Sequence, residues 1–170
     1  AEQLAPVAPI VADAVEPVSG QPALDLACGT GNEALLLAGR GAEVTGFDVA
    51  PRLLKVAEER AAAEGISANW VQGDLAELPF DEDSFEIVTS VFGLIFTSSP
   101  KDSAEEIGRV LRPQGRIAFT SWVEEGLFQH MQEMAKAAVA SSFGQEPPQG
   151  EDAPFKWGDE LAVRELFSES

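Results

Sequence analysis

Apolar residues along this chain switch between two periods. Short runs of apolar or small residues alternate with longer stretches whose apolar positions return every three or four residues. That is the pattern of buried strands separated by amphipathic helices. Pro22-Ala23-Leu24-Asp25-Leu26-Ala27 predicts a first strand, followed by the loop Cys28-Gly29-Thr30-Gly31-Asn32 and a helix over Glu33 to Ala38. Glu43 to Phe47 predicts a second strand ending at Asp48. The helix after it opens with Pro51, whose missing N–H costs nothing at a first helical position, and stops at the cap Gly65. Ala68 to Gln72, Phe85 to Val91 and Arg116 to Trp122 predict three more strands. Ahead of them, Leu4 to Val15 has helical spacing broken by Pro6 and Pro9. Ser99-Pro100-Lys101-Asp102 reads as a capping-box-like helix start with the stripe Ala104, Ile107, Val110 and Leu111, and Arg112-Pro113-Gln114-Gly115 as a type I turn. A helix from Leu127 to Phe143, a Pro-rich loop over 147–154 and a short helix over Asp159–Phe167 complete the pattern.

Strand and helix alternating in steps of roughly thirty residues require right-handed crossovers and a parallel sheet. The expected fold is therefore α/β, a doubly wound sheet of five parallel strands in a single domain over 1–170. Ligands of such sheets bind outside the carboxyl ends of the strands, where the strand order reverses. The loops after Ala27, Phe47, Gln72 and Val91 are the places for chemistry.

Composition narrows the partners. Eleven Lys and Arg against 29 Asp and Glu give a formal net charge of -18. Phosphate-rich nucleic acid and anionic membranes are repelled by such a field, so nucleic acid is not expected as a partner. No apolar run is long enough to span a bilayer, so no membrane insertion is expected, and Cys28 stands without a second cysteine for an internal disulfide. The expected compartment is a reducing cytoplasm.

Gly29-Thr30-Gly31 lies between a strand and a helix, where one glycine permits a tight turn and the other lets backbone approach a ligand. With Ala34 the glycines also fit the G-x-G-x-x-A form of a nicotinamide or flavin site. Asp25, at the strand end four residues before Gly29, favours a ligand carrying an ammonium and a sulfonium over a pyrophosphate. Asp48 stands about twenty residues past the loop, where a carboxylate accepts ribose hydroxyls; its other role is a helix cap near Pro51. Asp74 is placed to accept from an adenine amine while Leu75 supplies an N–H, or else it is a solvated turn aspartate. His130, the one histidine, is either a general base or a packed or exposed side chain, and Cys28 a small packed residue or a nucleophile. No metal-ligand spacing is present. Phe92, Phe96, Trp122, Phe128 and Trp157 are candidates to line an apolar acceptor pocket, or core residues.

The run Ala23 to Asn32 resembles the first motif of class I S-adenosylmethionine-dependent methyltransferases, in particular the small-molecule group related to the ubiquinone and menaquinone methyltransferases. Asp48, Gly73 to Phe80 with Phe85 to Val88, Ser90 to Phe96, and Val110 to Arg116 resemble the later motifs in order, so the likeness spans roughly 20–125. The resemblance implies a Rossmann-like fold and S-adenosylmethionine as cofactor. Asp25, Ala27, Gly29, Thr30, Gly31, Asp48, Val49, Asp74 and Leu75 would bind it, with Ser90 or Val91 lining the methionine side. It implies methyl transfer to a small-molecule acceptor, in which alignment and exclusion of water are the protein's main contributions. Two departures stand out. Gln114 occupies a place where the family usually carries glycine, which a type I turn tolerates. The family's last two strands, one antiparallel, have no counterpart after Phe167, and its first helix usually begins earlier. The expectation is a chain cut short at both ends, with a sheet edge near Phe119 open to self-association as a homo-oligomer.

Overall fold

The computed structural model describes residues 6–123 and 155–168. Its elements are α1 (Ala8–Val15), β1 (Pro22–Leu26), α2 (Asn32–Gly39), β2 (Glu43–Asp48), α3 (Pro51–Glu64), β3 (Asn69–Gln72), β4 (Phe85–Val91), α4 (Pro100–Val110), β5 (Leu111–Thr120) and α5 (Glu160–Ser168), with a 3-10 turn over Leu94–Phe96. The five strands form one sheet in the order β3-β2-β1-β4-β5, and every pairing is parallel. After β3 the chain crosses back to the other side of β1, so the strand order reverses between β1 and β4. The expected doubly wound Rossmann-like sheet is present.

Alternation along the strands divides the core. Leu24, Leu26, Phe47, Phe85 and Val88 join Leu78, Leu94, Ile107, Val110 and Trp157 on the face covered by α4 and α5. Ala23, Val44 and Ile87 meet Ala12, Val15, Ala34, Leu37 and Ala42 on the face covered by α1 and α2. Asp25 follows Ala23 by two residues, so strand periodicity turns its carboxyl toward α2.

Several local expectations are corrected. Pro9 does not break α1; it sits in its first turn, where a missing N–H is harmless. β5 begins at Leu111 and ends at Thr120, because Leu111 already pairs with Phe85 before a register shift carries Arg116 opposite Ile87. The irregularity lies at the expected turn, where Gln114 has φ 67. A positive φ at the third turn position belongs to type II, which favours glycine there, and not to type I. Ser99 is the N-cap residue of α4 but makes no capping hydrogen bond; its hydroxyl donates to Asp102 Oδ2 at 2.6 Å. The short last helix is capped by Asp159, whose Oδ1 accepts from the N–H groups of Leu161 (3.0 Å) and Ala162 (3.3 Å). The expected helix Leu127–Phe143, the loop 147–154, Phe128 and His130 lie outside the described residues. No described helix is long and apolar enough to cross a membrane.

Candidate cofactor site

β1 ends in a turn that continues straight into α2. Ala27 and Gly29 take positive φ values (49 and 56), and Gly31, the N-cap residue of α2, has φ 80. At Gly31 glycine is required twice over. A side chain there would be strained, and its Cβ would lie 2.9 Å from Trp70 Cη2 and 3.1 Å from Ala57 Cβ. Gly46 on β2 likewise leaves room for the Trp70 ring, which therefore lies beneath the loop. Gly29 differs: nothing lies within 4 Å of where its Cβ would stand, so the loop presents bare backbone to open space.

Beside this loop is a cavity of about 210 Å³ lined by Ala8, Asp25, Ala27, Cys28, Gly29, Thr30, Asn32, Glu33, Leu53 and Val91. Its walls come from the ends of β1 and β4, the glycine loop, the first turn of α2, and single residues of α1 and α3. This is the reversal point between β1 and β4 where the topology directs a ligand.

Two buried carboxyls, Asp25 and Glu33, line it, and a third, Asp48, binds the adjoining glycine loop. Asp48 is held by two backbone donors: Gly29 N–H to Oδ2 at 2.8 Å and Ala50 N–H to Oδ1 at 2.8 Å. It clamps the glycine loop to the β2–α3 turn, and each oxygen retains a lone pair for a further donor. Asp25 accepts from Ala34 N–H at 3.0 Å and from the Thr89 hydroxyl at 3.2 Å. Burial pushes its pKa up to about 7, against the lowering effect of those two bonds. Glu33 is 2% exposed, and neither carboxyl oxygen has a hydrogen-bond partner among the described residues. Burial, with the nearby Asp25 charge, raises its pKa to about 8.

The remaining candidates are distributed around this centre. Asp74 is exposed in a tight turn, where its Oδ1 accepts from Ala76 N–H at 2.9 Å; Leu75 is half-buried against the large apolar core. Val49 is 67% exposed after β2. Val91 lines the cavity, whereas the Ser90 hydroxyl is buried and donates to Leu26 O at 2.9 Å. The Cys28 thiol is pushed upward by burial and by the Asp25 and Asp48 charges, so it carries no thiolate for nucleophilic work. Phe92 and Trp122 stack with ring centroids 4.3 Å apart, while Phe96 is 80% exposed and Trp157 belongs to the core.

Sequence reasoning missed four residues. Glu33 looks like any first-turn helix acid until α1 is seen to pack on α2. Arg60, on α3, reaches back to the glycine loop and donates from Nη1 to Thr30 O (2.6 Å) and Asn32 Oδ1 (2.8 Å). Arg109 holds the segment after β3 by donating to Phe80 O (2.6 Å) and Leu78 O (2.9 Å), and Glu106 accepts from Leu78 N–H at 2.7 Å. An Arg109 salt bridge at 2.7 Å holds the Glu106 carboxyl below its ordinary pKa. Helical i,i+3 spacing of Glu106 and Arg109 was the available signal.

Residues 24–119 match the methyltransferase domain family, more than half of the chain. The chain belongs to the class I S-adenosylmethionine-dependent methyltransferases. A protein of Mycobacterium tuberculosis (strain H37Rv) is 33% identical over 166 residues, 98% of this chain and 59% of its own length. The demethylmenaquinone methyltransferase of Clavibacter sepedonicus is 43% identical over 104 residues, 61% of this chain and 42% of its own. Among solved structures, the [4+2]-cyclase SpnF superposes with a TM-score of 0.68 at 28% identity, over 73% of this chain and 47% of its own. The chain thus spans about three fifths of the length of the mycobacterial relative.

Proposed function

We propose that this methyltransferase domain binds S-adenosylmethionine in the cavity beside Gly29-Thr30-Gly31 and supports methyl transfer to a small-molecule acceptor. The observation that carries the reading is the juxtaposition of bare loop backbone with the carboxyl of Asp25 and the clamped carboxylate of Asp48. A ligand that carries an α-ammonium and a neutral ribose suits that set; a pyrophosphate does not, because it adds negative charge beside acidic side chains and offers them no donor. When bound, the cofactor supplies a methyl group already activated on sulfur.

The chain's own residues then bind, orient and exclude water. In this reading Gly29, Thr30 and Gly31 give backbone contact, with Ala27 beside them. The free lone pairs of Asp48 accept the ribose hydroxyls near Val49, and Asp74 with Leu75 receives the adenine. Val91 bounds the methionine side, with Ser90 behind it. Arg60 and the Glu106–Arg109 pair act as positioning residues, holding the glycine loop and the Asp74 segment. The stacked Phe92 and Trp122 at the carboxyl end of the sheet favour an apolar, planar acceptor, in keeping with the name of the Clavibacter relative. A cytoplasmic site of action accords with the unpaired Cys28.

A second reading follows from the similarity to a [4+2]-cyclase: the domain binds the cofactor while another chemistry, or none, takes place beside it. Calorimetry with S-adenosylmethionine, S-adenosylhomocysteine and NAD, followed by a methyl-transfer assay over small quinols and phenols, separates these readings. Binding of the first two ligands with turnover is expected. Binding without turnover on any acceptor favours the second reading, and binding of NAD alone overturns both.

A further inference from the structure

We propose that Glu33, together with Asp25, forms a cation subsite in the wall of the cavity and takes the α-ammonium of the cofactor's amino-acid end. The inference rests on the proposed cofactor site and adds to it a residue that no motif designated.

Glu33 lines the cavity, yet its two oxygens are closed to water and have no hydrogen-bond partner among the described residues. Buried carboxyls are rarely left in that state, because a lone acceptor forfeits its hydration for nothing. Asp25, in contrast, has one donor on each oxygen. An arriving ammonium offers three N–H donors and a positive charge, which is what the unpartnered carboxyl lacks. The charged groups acting on Glu33 are Asp25 from β1, Arg40 at the end of its own helix and Asp13 on α1. Arg40 is already committed to Asp13 at 2.7 Å, and its attraction offsets only part of the cost of burying Glu33, whose pKa stays raised. A cationic ligand would offset the rest.

The raised pKa gives the subsite a signature. Without ligand, Glu33 holds a proton at neutral pH; beside an ammonium it ionises and releases that proton to solvent. The test compares wild type with Glu33→Gln, an isosteric change that keeps the volume and removes the ionisable group. S-Adenosylhomocysteine carries the amino-acid end, whereas 5′-methylthioadenosine keeps the nucleoside and thioether but has no ammonium. Glu33→Gln is expected to weaken S-adenosylhomocysteine at least about tenfold and to leave 5′-methylthioadenosine within about twofold, as for one lost charge-assisted contact. Calorimetry in buffers of differing ionisation enthalpy should show up to about one more proton released per S-adenosylhomocysteine bound by wild type than by the variant at pH 7.

Thermal melts establish that both proteins are folded. Equal loss for the two ligands, or no loss for either, overturns the subsite while leaving the cofactor site intact. Failure of folded wild type to bind either ligand overturns both.

Discussion

On the α4/α5 face of the sheet, the buried side chains are mostly large, leucines and phenylalanines with Ile107, Val88, Val110 and Trp157, and Phe80 is edge-on to both Phe47 (5.8 Å) and Phe85 (5.1 Å). On the α1/α2 face they are largely alanines and valines, and the buried polar groups include Asp25 and Thr89 on the strands and Glu33 in the first turn of α2. The first face removes a large apolar area from water and therefore supplies stability. The second lets helices approach closely and leaves the cavity, at the cost of holding acids away from solvent. Stability and binding are thus separated across a single sheet, which turns the comparison into an experiment.

The largest expected effect lies on the apolar face. Leu24→Ala, at a fully buried position, should lose about 2–5 kcal/mol in urea denaturation through lost transfer energy and a residual cavity, with S-adenosylhomocysteine affinity within about twofold. If affinity falls as far as stability does, the two faces are not separable.

Asp48→Ala acts on the other side. It strips the acceptor from both Gly29 N–H and Ala50 N–H, so affinity should fall by tenfold or more and stability by about 1–3 kcal/mol. The loss of stability follows from the clamp, which ties the glycine loop to the β2–α3 turn through both oxygens.

The pH dependence sharpens the contrast further. Glu33 and Asp25 have folded pKa values raised to about 8 and about 7, so the native state binds protons that the unfolded chain has released. Their contribution is full below about pH 4 and is lost as pH rises toward 8, with a slope of at most about 1.4 kcal/mol per pH unit for each group. Glu106, shifted downward by Arg109, has the opposite sign and loses its contribution as pH falls. Denaturation of Glu33→Gln between pH 5 and 8 should therefore show a shallower decline than wild type; identical slopes would mean that Glu33 is ionised in the fold.

The smallest effect belongs to the backbone. Ala27 (φ 49) and Gln114 (φ 67) occupy the left-handed region without being glycine. Gln114→Gly, far from the cavity, should be neutral or stabilising by up to about 1 kcal/mol in thermal denaturation. A clear loss of stability would show that the Gln114 side chain contributes more than its strain removes.

Much of this was legible in the sequence. The strands β1, β2 and β4 read correctly because both faces of a parallel sheet are buried, which makes their apolar runs nearly continuous. α3 was bracketed by Pro51 and Gly65, whose conformational roles are local. What could not be read was non-local. α2 is apolar on almost every side, so nothing in Asn32–Gly39 marks Glu33 as buried beneath α1. The left-handed φ at Gln114 lies where the β4–β5 register shifts, between the pairs Phe85–Leu111 and Ile87–Arg116, and that pairing of distant segments is set only by the folded sheet. Arg60 reaches Thr30 across 30 positions, and only the folded sheet makes them neighbours.

The space left by Gly31 and Gly46 also has an optical consequence. The chain has three tryptophans and no tyrosine, so its near-ultraviolet emission comes from indoles alone. Trp70 lies under the glycine loop, Trp122 stacks on Phe92, and Trp157 is packed against Phe119 and Phe155 within the large core. Each ring thus samples a different district: the loop, the carboxyl end of β4, and the face that carries stability. Ligand entry would perturb the first, an aromatic acceptor the second, and unfolding the third, so that variants retaining one tryptophan at a time can time these events separately without any attached dye.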